Sequence, residues 1–253
     1  MSAAPHYISL YLALESELDL DLDSALKSLP RYFQEKALRK RSRALRESTI
    51  KAHSLMDWVL RRHYFPNGET YALEEESRGK PFAVYGKYKY TGFNLSHSAG
   101  YLAAVCGEPH RPVGVDCEAH HRVHFRRLAE RFFSTQEQQG IRSADQDDQG
   151  SNAFLQTWTR KEAWVKMHGL GLQKPLDTFT VKTNPALGPA ESWILEDADA
   201  PNLAQYATFS TRFPDGIPVS VASSSPQTLS KLEIFRVRTT SGHFECESLG
   251  KAG

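Results

Sequence analysis

Three groupings of residues have the types and spacing to hold a hard cation and a phosphate. Asp116 and Glu118 flank Cys117 at the end of the apolar run 113–118. In a strand, residues i and i+2 share a face, so both carboxylates converge while Val115 and Cys117 turn toward a core. Paired carboxylates repel unless a cation lies between them. The competing reading is a solvated strand end. The second grouping is Trp158-Thr159-Arg160-Lys161-Glu162-Ala163-Trp164-Val165-Lys166. On a helix, Trp158, Glu162 and Lys166 form one stripe with Lys161 beside it. Glu162 could then complete an all-oxygen magnesium site, while Lys161 and Lys166 meet the phosphate charge that one divalent ion leaves uncompensated. An ordinary i,i+4 Glu–Lys pair on an exposed helix competes with that reading.

The third grouping is Asn94-Leu95-Ser96-His97-Ser98-Ala99-Gly100, hydroxyls and an imidazole before a glycine turn, suited to a phosphate monoester. Ser96 and His97 are neighbours on a strand and point to opposite faces, so they do not form a nucleophile–base pair. No Gly-x-Ser-x-Gly elbow surrounds them. His120 and His124 have helical i,i+4 spacing, but without a third ligand in pattern they read as surface histidines.

Positioning these groups requires strands at 7–14, 71–74, 93–96, 101–106 and 113–118, where β-branched and aromatic residues alternate or run together. Residues 22–45 read as a basic helix containing Lys36 and Arg39, and residues 49–64 as a long amphipathic helix ended by Pro66-Asn67-Gly68. Residues 125–133 form a further helix, 143–152 a polar loop, and 153–168 the helix carrying the second grouping, stopped by Gly169 and Gly171. Beyond it, β-prone runs at 178–183, 192–195, 219–222 and 232–237 alternate with turns. The two long helices share a small likeness, Asp57-Trp58-Val59 against Ala163-Trp164-Val165. The pattern predicts an α+β fold, divided in the connector 107–112 into an N-terminal half, 1–108, and a C-terminal half, 109–253.

The 253 residues suffice for one large domain or two modest ones, and 31 basic against 30 acidic side chains leave a formal charge of +1. Such a balance argues against a nucleic-acid partner. Three scattered cysteines supply neither a disulfide framework nor paired zinc ligands. With no membrane span or leader pattern, the sequence predicts a cytoplasmic protein.

Together, Gly114-Val115-Asp116-Cys117-Glu118, Phe133-Ser134-x-x-Glu137 and Trp158-x-x-Lys161-Glu162-Ala163-x-x-Lys166 resemble the signature of the 4′-phosphopantetheinyl transferases, and 44 residues separate Glu118 from Glu162 as in that family. Gly79-Lys80-Pro81 and Asn94-Leu95-Ser96-His97-Ser98 resemble the additional motifs of its long, surfactin-synthetase-activator branch. The resemblance runs from about Lys36 through Thr183. It departs at His121-Arg122, where a lysine is common, and at Cys117, where a branched aliphatic is usual.

The resemblance implies two similar α+β subdomains about a pseudo-twofold axis, each a small antiparallel sheet on a long helix, working as a monomer. It implies transfer of the 4′-phosphopantetheine arm of coenzyme A to a serine of an apo acyl, peptidyl or aryl carrier protein. Asp116, Glu118 and Glu162 would hold magnesium, with manganese as the alternative ion. His97 would contact the 3′-phosphate of coenzyme A with Ser96 beside it, Lys80 and Lys161 the coenzyme A phosphates, and Lys36 and Arg39 the 3′-phosphate and adenine. Glu162 is the candidate general base and Lys166 the group assisting the leaving phosphate. An acidic carrier helix would dock near Phe125–Phe133 and the 169–172 loop. A magnesium-dependent nucleotide pyrophosphate hydrolase and a non-catalytic carrier-binding module are the alternatives.

Overall fold

The structure is a computed structural model and describes residues 8–119, 124–143, 147–184, 192–225 and 232–251. In chain order its first elements are β1 (Ser9–Leu14), α1 (Leu22–Ser28), α2 (Arg31–Leu38), α3 (Arg43–His63), β2 (Ala72–Glu75), β3 (Pro81–Tyr85), β4 (Tyr88–Tyr90), β5 (Phe93–Ser98), β6 (Tyr101–Cys106) and β7 (Val113–Cys117). There follow α4 (Phe125–Phe132), α5 (Thr135–Arg142), α6 (Asp147–His168), β8 (Phe179–Val181), β9 (Ile194–Asp197), β10 (Ala207–Arg212), β11 (Pro218–Ser223), β12 (Glu233–Thr240) and β13 (His243–Lys251). The fold is α+β.

Two sheets lie back to back between the long helices. The larger runs β13-β12-β1-β6-β5 and the smaller β10-β11-β7. Strand β1 is buried on both faces, which explains its continuous apolar run. Tyr11 and Ala13 pack toward Leu55, Met56, Val59 and Leu60 of α3. Leu10 and Leu12 interdigitate with Val115, Val219 and Val221 of the smaller sheet. The outer face of that sheet carries α6, whose Ala163, Trp164 and Met167 join Ala222, Phe179 and Trp193 in a third cluster. The layers are therefore helix, sheet, sheet, helix.

Several elements differ from expectation. The basic stretch 22–45 is not one helix. Leu29 precedes proline and is driven extended (ψ 151), so α1 ends and α2 starts after Pro30. Ser42 then caps α3 by accepting the Leu45 N–H at 3.1 Å, so α3 begins six residues before the expected start. Residues 147–152, read as loop, are the first turns of α6. Ser134 and Glu137 form a capping box that starts α5. The hairpin β3–β4 turns at Gly86 (φ 58). The β12–β13 hairpin, beyond residue 108, extends the larger sheet, with β12 parallel to β1.

Candidate active site

The two sheets meet at a seam between β5 and β7, and side chains close it. Both are edge strands. On the side of β7 that faces β5, the backbone groups would be orphaned without side-chain partners. Asn94 Oδ1 accepts the Val115 N–H at 3.0 Å, Ser96 Oγ the Cys117 N–H at 3.3 Å, and Ser98 Oγ the Ala119 N–H at 3.2 Å. On the same side Lys80 Nζ donates to the Val113 carbonyl at 2.9 Å and Lys166 Nζ to the Val115 carbonyl at 3.2 Å. The i, i+2 spacing of Asn94, Ser96 and Ser98 matches the i, i+2 spacing of β7 residue for residue.

The hydroxyls that hold the seam also aim the carboxylates. Ser96 donates to Asp116 Oδ1 at 2.8 Å and Ser98 to Glu118 Oε1 at 2.7 Å. Val113, Val115 and Cys117 fill the core between the sheets, as the alternation predicts, so Gly114 and Asp116 face α6. Gly114 has no room for a side chain: a Cβ would lie 2.1 Å from the Ala163 carbonyl oxygen and 2.4 Å from the Met167 nitrogen. That close approach brings α6 over Asp116, where Lys166 Nζ stands 2.6 Å from Asp116 Oδ1 and 3.1 Å from Ser96 Oγ.

Asp116, Glu118, Glu162, Lys166, Ser96 and His97 line one open cleft of about 640 Å³, together with Ser98, Trp158, Leu45, Ser48 and Glu15. Its electrostatics are those of a site short of positive charge. Burial, joined by Glu118, raises the Asp116 pKa above the usual carboxylate value, against Lys166 and Ser96. Burial raises Glu162 too, with Asp116 and Glu118 adding to it. Burial disfavours the Lys166 charge, but Asp116 and then Glu162 outweigh it and hold the ammonium above its usual value. Desolvation lowers His97, with Lys166 and Lys40 adding to that against Glu15. Among the described residues no three His, Cys, Asp or Glu side chains are gathered at metal-ligand spacing. The Lys166 ammonium is the cation that Asp116 contacts. The donor set itself, three carboxylates on one wall, suits a hard divalent ion with retained waters.

Other residues singled out in the sequence lie elsewhere. Lys161 is a correction: it is fully buried, 2.8 Å from Glu137 Oε1, and donates to the Leu176 and Phe179 carbonyls at 2.6 Å each. One step along a helix rotates a side chain by about 100°, which turns Lys161 from the Glu162 face into the core beneath α5. Lys80 is a second correction. Besides the Val113 carbonyl, its ammonium takes those of Lys166 and Met167 at 2.7 and 2.8 Å, capping the end of α6. Lys36 and Arg39 line a separate pocket with Tyr32, Glu35 and Glu75, and Lys36 pairs with Glu75 at 2.5 Å. His120 falls outside the described residues. Glu15, Ser48 and Leu45 were missed, since nothing local in their sequence points to a site.

Comparison with known proteins finds likenesses over the stretch of chain that carries these carboxylates and the lysine-bearing helix. Residues 112–222 match the 4′-phosphopantetheinyl transferase superfamily. The chain is 30% identical over 134 residues to the 4′-phosphopantetheinyl transferase Sfp of Bacillus subtilis, covering 53% of this chain and 57% of that one. It is 31% identical over 152 residues to the 4′-phosphopantetheinyl transferase psf-1 of Bacillus pumilus, covering 59% and 63%. It is also 34% identical over 122 residues to the L-aminoadipate-semialdehyde dehydrogenase-phosphopantetheinyl transferase of Xenopus laevis, covering 45% and 40%. The likeness to the 4′-phosphopantetheinyl transferase superfamily lies in residues 112–222. The matches span 57%, 54% and 63% of the first three relatives' lengths.

Proposed function

We propose that the chain transfers the 4′-phosphopantetheine group of coenzyme A to a serine of an apo carrier protein, releasing 3′,5′-ADP. The observation that carries this reading is the single cleft lined by Asp116, Glu118, Glu162, Lys166, Ser96 and His97. In the reaction the serine hydroxyl attacks the phosphorus bearing the pantetheine arm. A new P–O bond forms, the bond to the nucleotide's bridging oxygen breaks, and the hydroxyl proton passes to a base. Glu162 is that base, its pKa raised by burial and by Asp116 beside it. Lys166 faces the charge that develops on the departing phosphate. His97 contacts the 3′-phosphate, and Lys36 and Arg39, in their separate pocket on α2, meet the 3′-phosphate and adenine end of the cofactor.

Asp116, Glu118 and Glu162 would hold magnesium, or manganese in its place. When bound, the ion would neutralise the pyrophosphate and polarise its oxygens. Lys80 and Lys161 serve this reaction only by fixing α6. The proposed halves, 1–108 and 109–253, contribute His97 and the carboxylates respectively. A single chain of this kind completes the cleft, working as a cytoplasmic monomer. Arg126, Arg127 and Arg131, exposed on α4, supply charge for an acidic carrier helix.

The test is incubation with coenzyme A, magnesium and an apo carrier protein, read by intact mass. A gain of one phosphopantetheine is expected, and Glu162→Gln should slow it by ~10²–10⁴-fold. Nucleotide release without carrier modification would mean a pyrophosphate hydrolase instead. Binding with neither product would mean a docking module.

A further inference from the structure

On the far side of α6 from the cleft lies a second polar cavity, of about 460 Å³. Ser143 at the end of α5, Gln149 and Asn152 in the first turns of α6, Thr183 after β8, and Arg212 at the end of β10 line it. Among its described lining residues none is acidic. Arg160, buried behind Thr183 and Asn184, donates Nη1 to the Lys182 and Asn184 carbonyls at 2.5 and 2.9 Å and Nε to Ser210 at 3.2 Å. Its Nη2 is buried with no partner. Arg212 donates to the Gly216 carbonyl at 2.6 Å and, at a long 3.5 Å, to Gln156.

The two guanidiniums are close enough for the Arg212 charge to disfavour that of Arg160, and burial lowers both pKa values, Arg160 to about 9. Among the described residues no acid acts on either. A buried cation without a counter-charge is costly, and two side by side are more so. Lys161 and Lys174 have carboxylate partners, Glu137 and Asp197, and Lys80 is held by three carbonyls. Hydroxyl and amide groups surround Arg212 in this cavity with no acid among the described lining residues, and Arg160 lies behind them, a composition that suits an oxyanion.

We propose that this cavity binds a small free oxyanion of the phosphate or carboxylate type, held by Arg212 with Arg160 supplying charge behind it. The bound anion would be tied to α6 by a buried polar network. Gln156 Nε2 donates to Ser220 Oγ at 3.2 Å, Thr159 and Ser220 hydroxyls lie 2.9 Å apart, and Ser210 and Ser220 hydroxyls 3.2 Å apart. Occupancy would therefore steady the helix that carries Glu162, without itself touching the cleft. The inference stands whether or not the cleft performs the proposed transfer.

The test is thermal unfolding of the full chain, free of magnesium and coenzyme A, titrated with inorganic phosphate or with malonate against chloride of equal ionic strength. Ligand that binds only the native state raises stability with the logarithm of its concentration. The wild type should gain about 5–11 °C with either oxyanion at a hundredfold excess over its dissociation constant. Arg212→Gln should lose that gain, and His97→Ala, which alters the other cleft, should keep it. Asn152→Asp, which places a carboxylate on the cavity wall, should raise the melting temperature in chloride and blunt the response to both anions. An equal rise in wild type and Arg212→Gln, or one abolished by His97→Ala alone, overturns the site. So does the absence of any rise with both anions.

Discussion

Replacing Lys161 by methionine separates a structural lysine from a phosphate-binding one. The Lys161 ammonium and the Glu137 carboxylate are both fully buried and 2.8 Å apart. Methionine keeps most of the volume and removes the charge. Glu137 would retain the Ser134 and Val181 N–H groups, each at 2.8 Å, but would lose the Lys161 ammonium. The Leu176 and Phe179 carbonyls would lose their donor. Breaking a buried pair from one side costs about 3–5 kcal/mol, because the remaining charge stays desolvated and uncompensated. For a chain of this size each kcal/mol moves the melting temperature by roughly 2–4 °C, so a fall on the order of 10 °C is expected. Adding Glu137→Gln to Lys161→Met should recover about half of it, since the orphaned charge is then gone. Thermal unfolding of the four proteins measures the cycle, and titration of coenzyme A at a temperature where all are folded measures the cleft. Coenzyme A affinity should change by less than about threefold, which is well under 1 kcal/mol. A Lys161→Met protein that melts like wild type but binds coenzyme A tenfold more weakly would falsify the structural assignment.

Three further outcomes are expected. Lys80→Met should lower stability by about 2–4 kcal/mol, because three carbonyls at 2.7–2.9 Å lose one charged donor; denaturant unfolding reads it, and unchanged stability with lost coenzyme A binding would return Lys80 to the cleft. Gly114→Ala should lower stability and slow transfer at least tenfold, since the added carbon lies 2.1 Å from the Ala163 carbonyl and must push α6 off Asp116; wild-type turnover would show that this approach is not needed. Burial and Arg62 hold His63 near pKa 4 in the folded chain, below its unfolded value. The unfolded state therefore takes up the proton first, and the contribution of His63 is intact above pH 6.5 and lost as pH falls toward 4. That loss is on the order of 3 kcal/mol. His63→Gln should flatten the melting-temperature profile across that window, and an unchanged slope would assign it to other groups.

Residue order alone was enough to mark Asp116, Glu118, Glu162 and Lys166, because strand and helix periodicities put carboxylates and lysine on defined faces before any packing is known. It also marked the alternation that sends Val115 and Cys117 into the core, and the α+β class. What it could not decide was where a charged side chain ends. Lys161, Glu162 and Lys166 are equally polar in sequence, yet one is sealed against Glu137 while the other two open on the cleft. The difference lies in what packs on each face of α6: strands β7 and β11 on one, α5 and β8 around another. Lys80 likewise sits in a glycine–proline loop, and three carbonyls from β7 and α6, between 33 and 87 residues away along the chain, claim its ammonium. The seam depends on the same kind of distance. Asn94, Ser96 and Ser98 read as a polar strand end, and only the apposition of two sheet edges turns them into the acceptors for β7. Periodicity is local and survives in the sequence; satisfaction of buried charge and orphaned backbone is non-local, and tertiary packing alone settles it.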